Sequence, residues 1–360
     1  MKKTLLALAA LAASSAAFAQ SFVTLYGVVD VSVERVKGDH QVSRVSSGNL
    51  ATSRLGFKGT EDIGGGLKAN FVLESAIAAD TGAQGNTARL FDRAAWAGLA
   101  GGAGELRVGR QDSSIGALAG DTTILGGQAY DDLKIVKTRA AEYYRRVDNA
   151  VTYVLPQIMP GLSAQVQYST AALWNKTTTP AAEVPGAETY GSNFGKSYGL
   201  SVKYAEGPVL AGLGYLNVTD DNSAVAGNQR ANATLVYAGY DLGAAKVIAY
   251  MDNETGKVAA ATAGAKRLSV YGVKAVVPVS AELTVSAGVS KAKNIAGSKT
   301  GNDDAVITAV KANYKLSKRT SVYGLATLVN NESGATVGML APTSGDKLAG
   351  GVAFGVAHAF

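Results

Sequence analysis

The 360-residue chain contains no cysteine, only seven prolines and only two histidines. Without thiols there is no disulfide to staple the fold and no thiolate site for zinc, so stability has to come from a large, regular structure. A Ser-His-acid hydrolase needs a histidine held beside its partners. His40 falls in a long polar stretch and His358 on an apolar alternating face near the C-terminus, which gives such chemistry nothing to build on. After the N-terminus no segment offers the roughly 18 consecutive apolar residues that a transmembrane helix requires. Proline is too scarce, and the composition too even, to mark a linker, so one domain is expected. The charge balance of 34 basic against 28 acidic residues is mild and unclustered, which argues against nucleic acid as a partner.

The N-terminus has the composition of an export signal. Lys2 and Lys3 precede an apolar run from Leu5 to Ala13, and small residues then lead to Ala17-Phe18-Ala19. Residues 1–19 are therefore expected to be removed, leaving 20–360 as the mature domain with 32 basic and 28 acidic residues.

What the mature chain does have is period-2 alternation from end to end. In VTLYGVVDVSVERV, Val23, Leu25, Val29, Val31 and Val33 alternate with Thr24, Tyr26, Asp30, Ser32 and Glu34. In SRLGFKGTEDIGGGLKANFVLES, Leu55 and Phe57 oppose Arg54 and Lys58, a glycine turn follows, and Leu67, Ala69, Phe71 and Leu73 oppose Lys68, Asn70 and Glu74. These are strands with one apolar and one wet face. About sixteen are expected, near 22–36, 51–60, 66–76, 89–99, 104–111, 142–155, 161–170 and 196–205, then 209–218, 231–240, 244–253, 267–277, 282–293, 304–315, 320–330 and 349–360. Short turns alternate with long polar connections such as 37–50, 111–141 and 171–195.

Ten strand residues tilted near 45° climb roughly 23 Å, close to the apolar band of a membrane barrel. A strand-built spanner must close on itself, because no backbone group can stay unpaired in hydrocarbon. Alternate residues then meet lipid outside and water inside. A soluble β-sandwich would show the same alternation with core and solvent in their place, but has no reason for strands of such uniform length. The glycines of EDIGGGLK and GGAGELRVG precede no helix, so they read as turns rather than phosphate loops. The last strand, GVAFGVAHAF, sets Val352, Phe354, Val356, His358 and Phe360 on one face and glycine or alanine on the other.

With these stretches, FDRAAWAGLAGGAGELRVGRQ (91–111) and DNAVTYVLP (148–156), the sequence resembles the trimeric Gram-negative general porins of the neisserial and β-proteobacterial type. The resemblance is detailed over the first half of the mature chain and is one of texture and ending over the second. It implies an all-β, sixteen-stranded antiparallel transmembrane barrel with short periplasmic turns, long extracellular loops and a third loop folded into the lumen. It further implies the cell outer membrane as location and a homotrimer in contact with outer-membrane lipid and lipopolysaccharide. Phe360 resembles the C-terminal signal read by the barrel-assembly machinery. No cofactor, metal or catalytic residue is implied.

Resemblance and alternation together point to Arg54, Arg93 and Arg146, with Lys58 and Lys68, as a basic wall of the pore. The third loop would oppose it with Asp112, Asp121, Asp131 and Asp132. That loop departs from the family pattern, being rich in Gly, Ala and aliphatic residues and lacking proline between Ser113 and Ala141. Strict alternation turns Arg110 outward, although its place at a strand end also allows it to line the pore. Arg145 is read as a lipid head-group or subunit contact or a solvated strand end, and Tyr26, Tyr144 and Tyr168 as inward aromatics. The expected function is passive diffusion of small hydrophilic solutes and ions with weak anion preference, its filter set by the charges at the constriction. A substrate-specific sugar or phosphate channel is the alternative, and a structural or enzymatic barrel a more distant one.

Overall fold

The computed structural model describes residues 22–127, 130–138, 141, 144–170, 195–219, 230–255, 267–295, 302–340, 342, 345 and 348–360. The expected signal segment, 1–19, lies outside them. One antiparallel sheet runs through the chain and closes on itself. Its first part comprises β1 (Phe22–Lys37), β2 (Gln41–Ser47), β3 (Arg54–Gly64), β4 (Leu67–Ala78), β5 (Ala83–Gln84), β6 (Ala94–Gly101), β7 (Gly104–Asp112), β8 (Arg146–Val154) and β9 (Leu162–Ser169). Then follow β10 (Ser197–Glu206), β11 (Val209–Thr219), β12 (Arg230–Asp241), β13 (Lys246–Glu254), β14 (Leu268–Pro278), β15 (Leu283–Lys293), β16 (Ala305–Lys315), β17 (Thr320–Asn331) and β18 (Leu348–Ala359).

Sixteen of these are barrel staves and correspond one to one with the sixteen expected strands. The additions are β5, a two-residue pairing on β4, and β2, which sits on the upper half of β1 above β3. At about 3.3 Å per residue, β1 is some 50 Å long and outruns the membrane. Its upper half therefore needs a pairing partner in water, which QVSRVSS supplies although its polarity reads as loop. Closure is made by β1 on β18, from Val28 against Ala359 to Lys37 against Gly350. The seam continues through Phe360, whose N–H donates to the Gly27 carbonyl at 3.1 Å while the Gly27 N–H donates to the Phe360 carbonyl at 3.2 Å. The Phe360 ring lies where a Cβ on residue 27 would stand, 2.4 Å from its Cζ, so only glycine fits there.

The outer face carries the apolar set on stave after stave. Leu25, Val33, Leu55, Phe57, Leu106, Val166, Leu213, Val289 and Phe354 are all exposed. His358 shares the outer face of β18, where Thr320 bonds its Nδ1 at 2.9 Å. At one end the staves meet in short turns. The turn from β3 to β4 has Gly64, Gly65 and Gly66 all at positive φ (86°, 63° and 78°), a run that side-chain-bearing residues would strain.

The apolar core lies inside the barrel, on one side only. The connection after β7 enters the lumen and forms two short helices, α1 (Gly116–Thr122) and α2 (Asp132–Ile135). Ile115, Leu118, Leu133, Ile135 and Val136 of this loop pack against Leu210, Leu216, Leu235, Ile248, Val270, Ile307 and Val329 on the inward faces of β11 to β17. That is why the second half of the chain puts leucine and isoleucine at positions that would otherwise meet water. The loop fills one side of the lumen, while inward residues of β3, β4, β6 and β7 such as Lys58, Asn70, Trp96 and Arg107 stay at least partly exposed.

Candidate pore constriction

On the open side the arginines gather around a few carboxylates. Arg54 begins β3 and Arg93 immediately precedes β6. Both reach Glu74 of β4, Arg93 Nε at 2.6 Å from Oε1 and Arg54 Nε at 3.5 Å from Oε2, and Tyr26 OH donates to Oε2 at 2.9 Å. Arg146, at the start of β8, faces Asp112 at the end of β7 at 3.4 Å. Arg110 Nε donates to the Asp92 carbonyl at 2.6 Å, and its Nη1 meets Asp148 at 2.6 Å, where Arg89 also binds. Register explains Arg110. The β7–β8 pairing slips between Gly109 and Gln111, with Gly109 at φ 127°, so strict alternation fails at this point.

Arg145 belongs to the same group. Its charge bears on those of both Arg54 and Arg146, as do those of Arg93 on both and of Arg110 on Arg146. Its backbone is held by the loop: its carbonyl accepts from the Ser113 N–H at 2.8 Å and lies 2.0 Å from where a Cβ on Gly116 would be. Counting in twos at this strand end leaves a lipid head-group contact, a subunit contact or a solvated strand end open; the structure sets the Arg145 charge close enough to act on Arg54 and Arg146. Lys58 is exposed and sits over the Tyr26 ring at 5.1 Å. Lys68 is exposed two residues from Asn70 on the same face, near the short-turn end.

The four loop aspartates do not form an acidic half of the opening. Asp131 and Asp132 are 0% and 2% exposed, and Lys274 of β14 is buried between them, 2.9 Å from Asp131 and 2.5 Å from Asp132. Lys274 also donates to the Thr122 carbonyl at 2.5 Å, and Tyr250 OH donates to Asp132. The Asp131 carboxylate further accepts the N–H groups of Leu125 (3.1 Å) and Leu133 (3.3 Å). Burial, with Asp132 alongside, pushes Asp131 up to about 7 against the pull of Lys274. Burial also works against charge on Asp132, but Lys274 and the hydrogen bonds it accepts outweigh that and hold it down at about 2. Asp121 is gripped by Lys203 at 2.8 Å and by Tyr237 OH at 2.5 Å. Of the four, Asp112 alone stands beside the arginines.

These contacts clamp the loop to the wall. Lys311 of β16 donates to the Ile124 carbonyl, Ser114 Oγ to the Tyr215 carbonyl at 2.8 Å, and Thr327 Oγ1 to the Tyr130 carbonyl at 3.0 Å. Tyr130 OH donates to Glu34 at 2.9 Å, and burial together with that carboxylate raises the phenol's pKa. Tyr144, expected as a pore residue, is 3% exposed within the loop core. Tyr168, expected inward, faces out beside Val166 because Gln167 and Ser169 take the inner positions. Lys203, Lys274 and Lys311 fall on inward positions of their staves, so alternation could have found them once the loop was known to need anchors.

Residues 5–334 match the Gram-negative porin family. The chain is 33% identical to outer membrane porin protein 32 of Delftia acidovorans over the whole length of both. It is 29% identical to an outer membrane porin protein of Bordetella pertussis, over 92% of this chain and 95% of that one. Among solved structures it superposes on the anion-selective porin from Comamonas acidovorans with a TM-score of 0.76 and 25% identity, covering 95% of this chain and 100% of that one. The Salmonella typhi OmpF barrel, at 18% identity and a TM-score of 0.67, shares the fold. A closed sixteen-stave barrel with an apolar outer face, a loop clamped in its lumen and these relatives place the chain in the Gram-negative porin family, as a diffusion channel of the outer membrane.

Proposed function

We propose that the channel prefers anions and that the preference is set by one wall alone. The observation that carries this is the charge count around the opening. Arg54, Arg89, Arg93, Arg110, Arg145 and Arg146 face Glu74, Asp92, Asp112 and Asp148, which leaves two positive charges in excess. Across the lumen Asp121 is paired with Lys203, and Asp131 and Asp132 are buried around Lys274, so the loop side adds no exposed acidic charge to oppose the wall. Guanidinium suits this wall, since it stays charged at every relevant pH and sheds water more readily than an ammonium. Small hydrated anions then concentrate at the constriction and diffuse down their gradient, and salt weakens the preference over a screening length of about 8 Å at physiological ionic strength. The anion selectivity named for the Comamonas acidovorans relative supports the same sign.

The rest of the reading goes with it. The channel works without catalysis, as a homotrimer embedded in lipid and lipopolysaccharide, after export and removal of residues 1–19. Phe360 is the contact by which the barrel-assembly machinery takes up the last strand. The test is the reversal potential of the purified protein in a planar bilayer under a KCl gradient, for the wild type and for Arg54→Ala with Arg146→Ala. The wild type is expected on the anion side and the double variant shifted toward cations. An unchanged potential would move the filter to other residues.

A further inference from the structure

Just below the arginine group, toward the periplasmic end, the same wall carries two aromatic rings that packing against the loop does not explain. Trp96 alternates with the exposed Leu99 and Ala97, so its indole points inward, yet it lies outside the core that seats the loop. The Arg107 guanidinium lies over that indole, its Cζ 4.7 Å from the ring centroid, and is held in place by Glu105 at 2.5 Å. Gly98 leaves room for this, since a Cβ there would come within 3.2 Å of Arg107 Cγ. Two strands away Lys58 sits over the Tyr26 ring, with Gly56 bare beneath that phenol. Register sets these groups on adjoining rows: Lys58 pairs with Val72, Val72 with Trp96, and Gly98 with Arg107.

Trp96 is only half-buried at this place, and Arg107 leaves its own Nε–H without a hydrogen-bond partner while its guanidinium stands over the indole. The Arg107 side chain stays 30% exposed, so part of its guanidinium is left open to a flat π system. Lys58 is exposed and stands two strands from Trp96, roughly 10 Å across the sheet, and the arginines stand just above. We propose that Trp96, Arg107, Lys58 and Tyr26 form a subsite for small aromatic carboxylates on their way through the channel, the ring stacking on Arg107 and the carboxylate drawn to Lys58. This deepens the anion-channel reading and rests on it.

The experiment compares benzoate with cyclohexanecarboxylate, which has the same charge but no π face, as inhibitors of chloride current in single channels. Benzoate is expected to inhibit about threefold to tenfold more strongly in the wild type. Trp96→Leu and Arg107→Lys are each expected to bring that ratio close to one. The ratio is read within each variant, so a change in overall conductance cancels, and either variant suffices if the other fails to assemble. Equal inhibition in the wild type, or an undiminished ratio in a conducting variant, would overturn the subsite while leaving the channel intact. A wild type that passes no chloride would instead overturn the channel reading and the subsite with it.

Discussion

Replacing Lys274 with methionine removes the one ammonium between two buried carboxylates and leaves the shape of the site nearly intact. Lys274 is 1% exposed and makes its contacts with Asp131, Asp132 and the Thr122 carbonyl away from bulk water. Breaking a buried pair in this way costs about 3–5 kcal/mol, because a charge is left uncompensated rather than because the bridge itself was strong. If the cost falls on loop docking, the docking equilibrium weakens roughly a hundredfold to several thousandfold. Hydrogen exchange on the purified channel reads this directly. The Leu125 and Leu133 amides, which donate to Asp131, are expected to lose protection by that factor at pH 8, and single-channel current to fluctuate among several levels. Asp131 sits up at about 7, so the docked loop holds a proton that the undocked loop releases. Docking therefore strengthens as pH falls from 7 toward about 4, the unperturbed range of an aspartate, and the defect of Lys274→Met is expected to shrink at pH 5. Adding Asp131→Asn and Asp132→Asn to Lys274→Met is expected to restore most of the protection, since removing the charges together avoids the stranded one. Wild-type protection in Lys274→Met at pH 8 would refute the clamp.

Glu74→Gln releases Arg54 and Arg93 from their shared carboxylate and is expected to raise the chloride-to-potassium permeability ratio in a planar bilayer, with no loss of folded barrel on a seminative gel. Gly27→Leu places a side chain where the Phe360 ring lies, and both it and deletion of Phe360 are expected to reduce the yield of folded barrel in the outer membrane fraction.

How much of this was legible in the sequence follows from where period 2 holds. It holds wherever a stave has lipid on one side and water on the other, and there the strands could be read from the order of residues. It fails where the loop covers the wall. Leu235, Ile248 and Ile307 look no different in sequence from lipid-facing residues, although they point inward. It fails again at a bulge, where Gly109 shifts the parity of Arg110, and it says nothing at the strand entrance, where the loop packs on the Arg145 backbone. The burial of Asp131 and Asp132 was hidden for another reason. Lys274 lies 143 residues from Asp131 in the chain, and only the closed barrel brings the two together.

That long-range pairing bears on how the pore's sign is set. In a constriction with an acidic loop facing a basic wall, deleting any loop carboxylate should raise anion preference by a similar amount. Here the loop acids differ in their access to the passage. Asp112 is 43% exposed and stands 3.4 Å from Arg146, so Asp112→Asn is expected to raise the chloride-to-potassium ratio roughly two- to fivefold at low salt, less as salt screens it. Asp132 is buried against Lys274 and Tyr250, and its charge is already met within the clamp. Asp132→Asn is expected to leave the permeability ratio near that of the wild type while loosening the loop, seen as current noise. Equal shifts in ratio from the two variants would mean that the loop's acids act on the passage through the wall of the clamp, and the one-sided account of selectivity would fall.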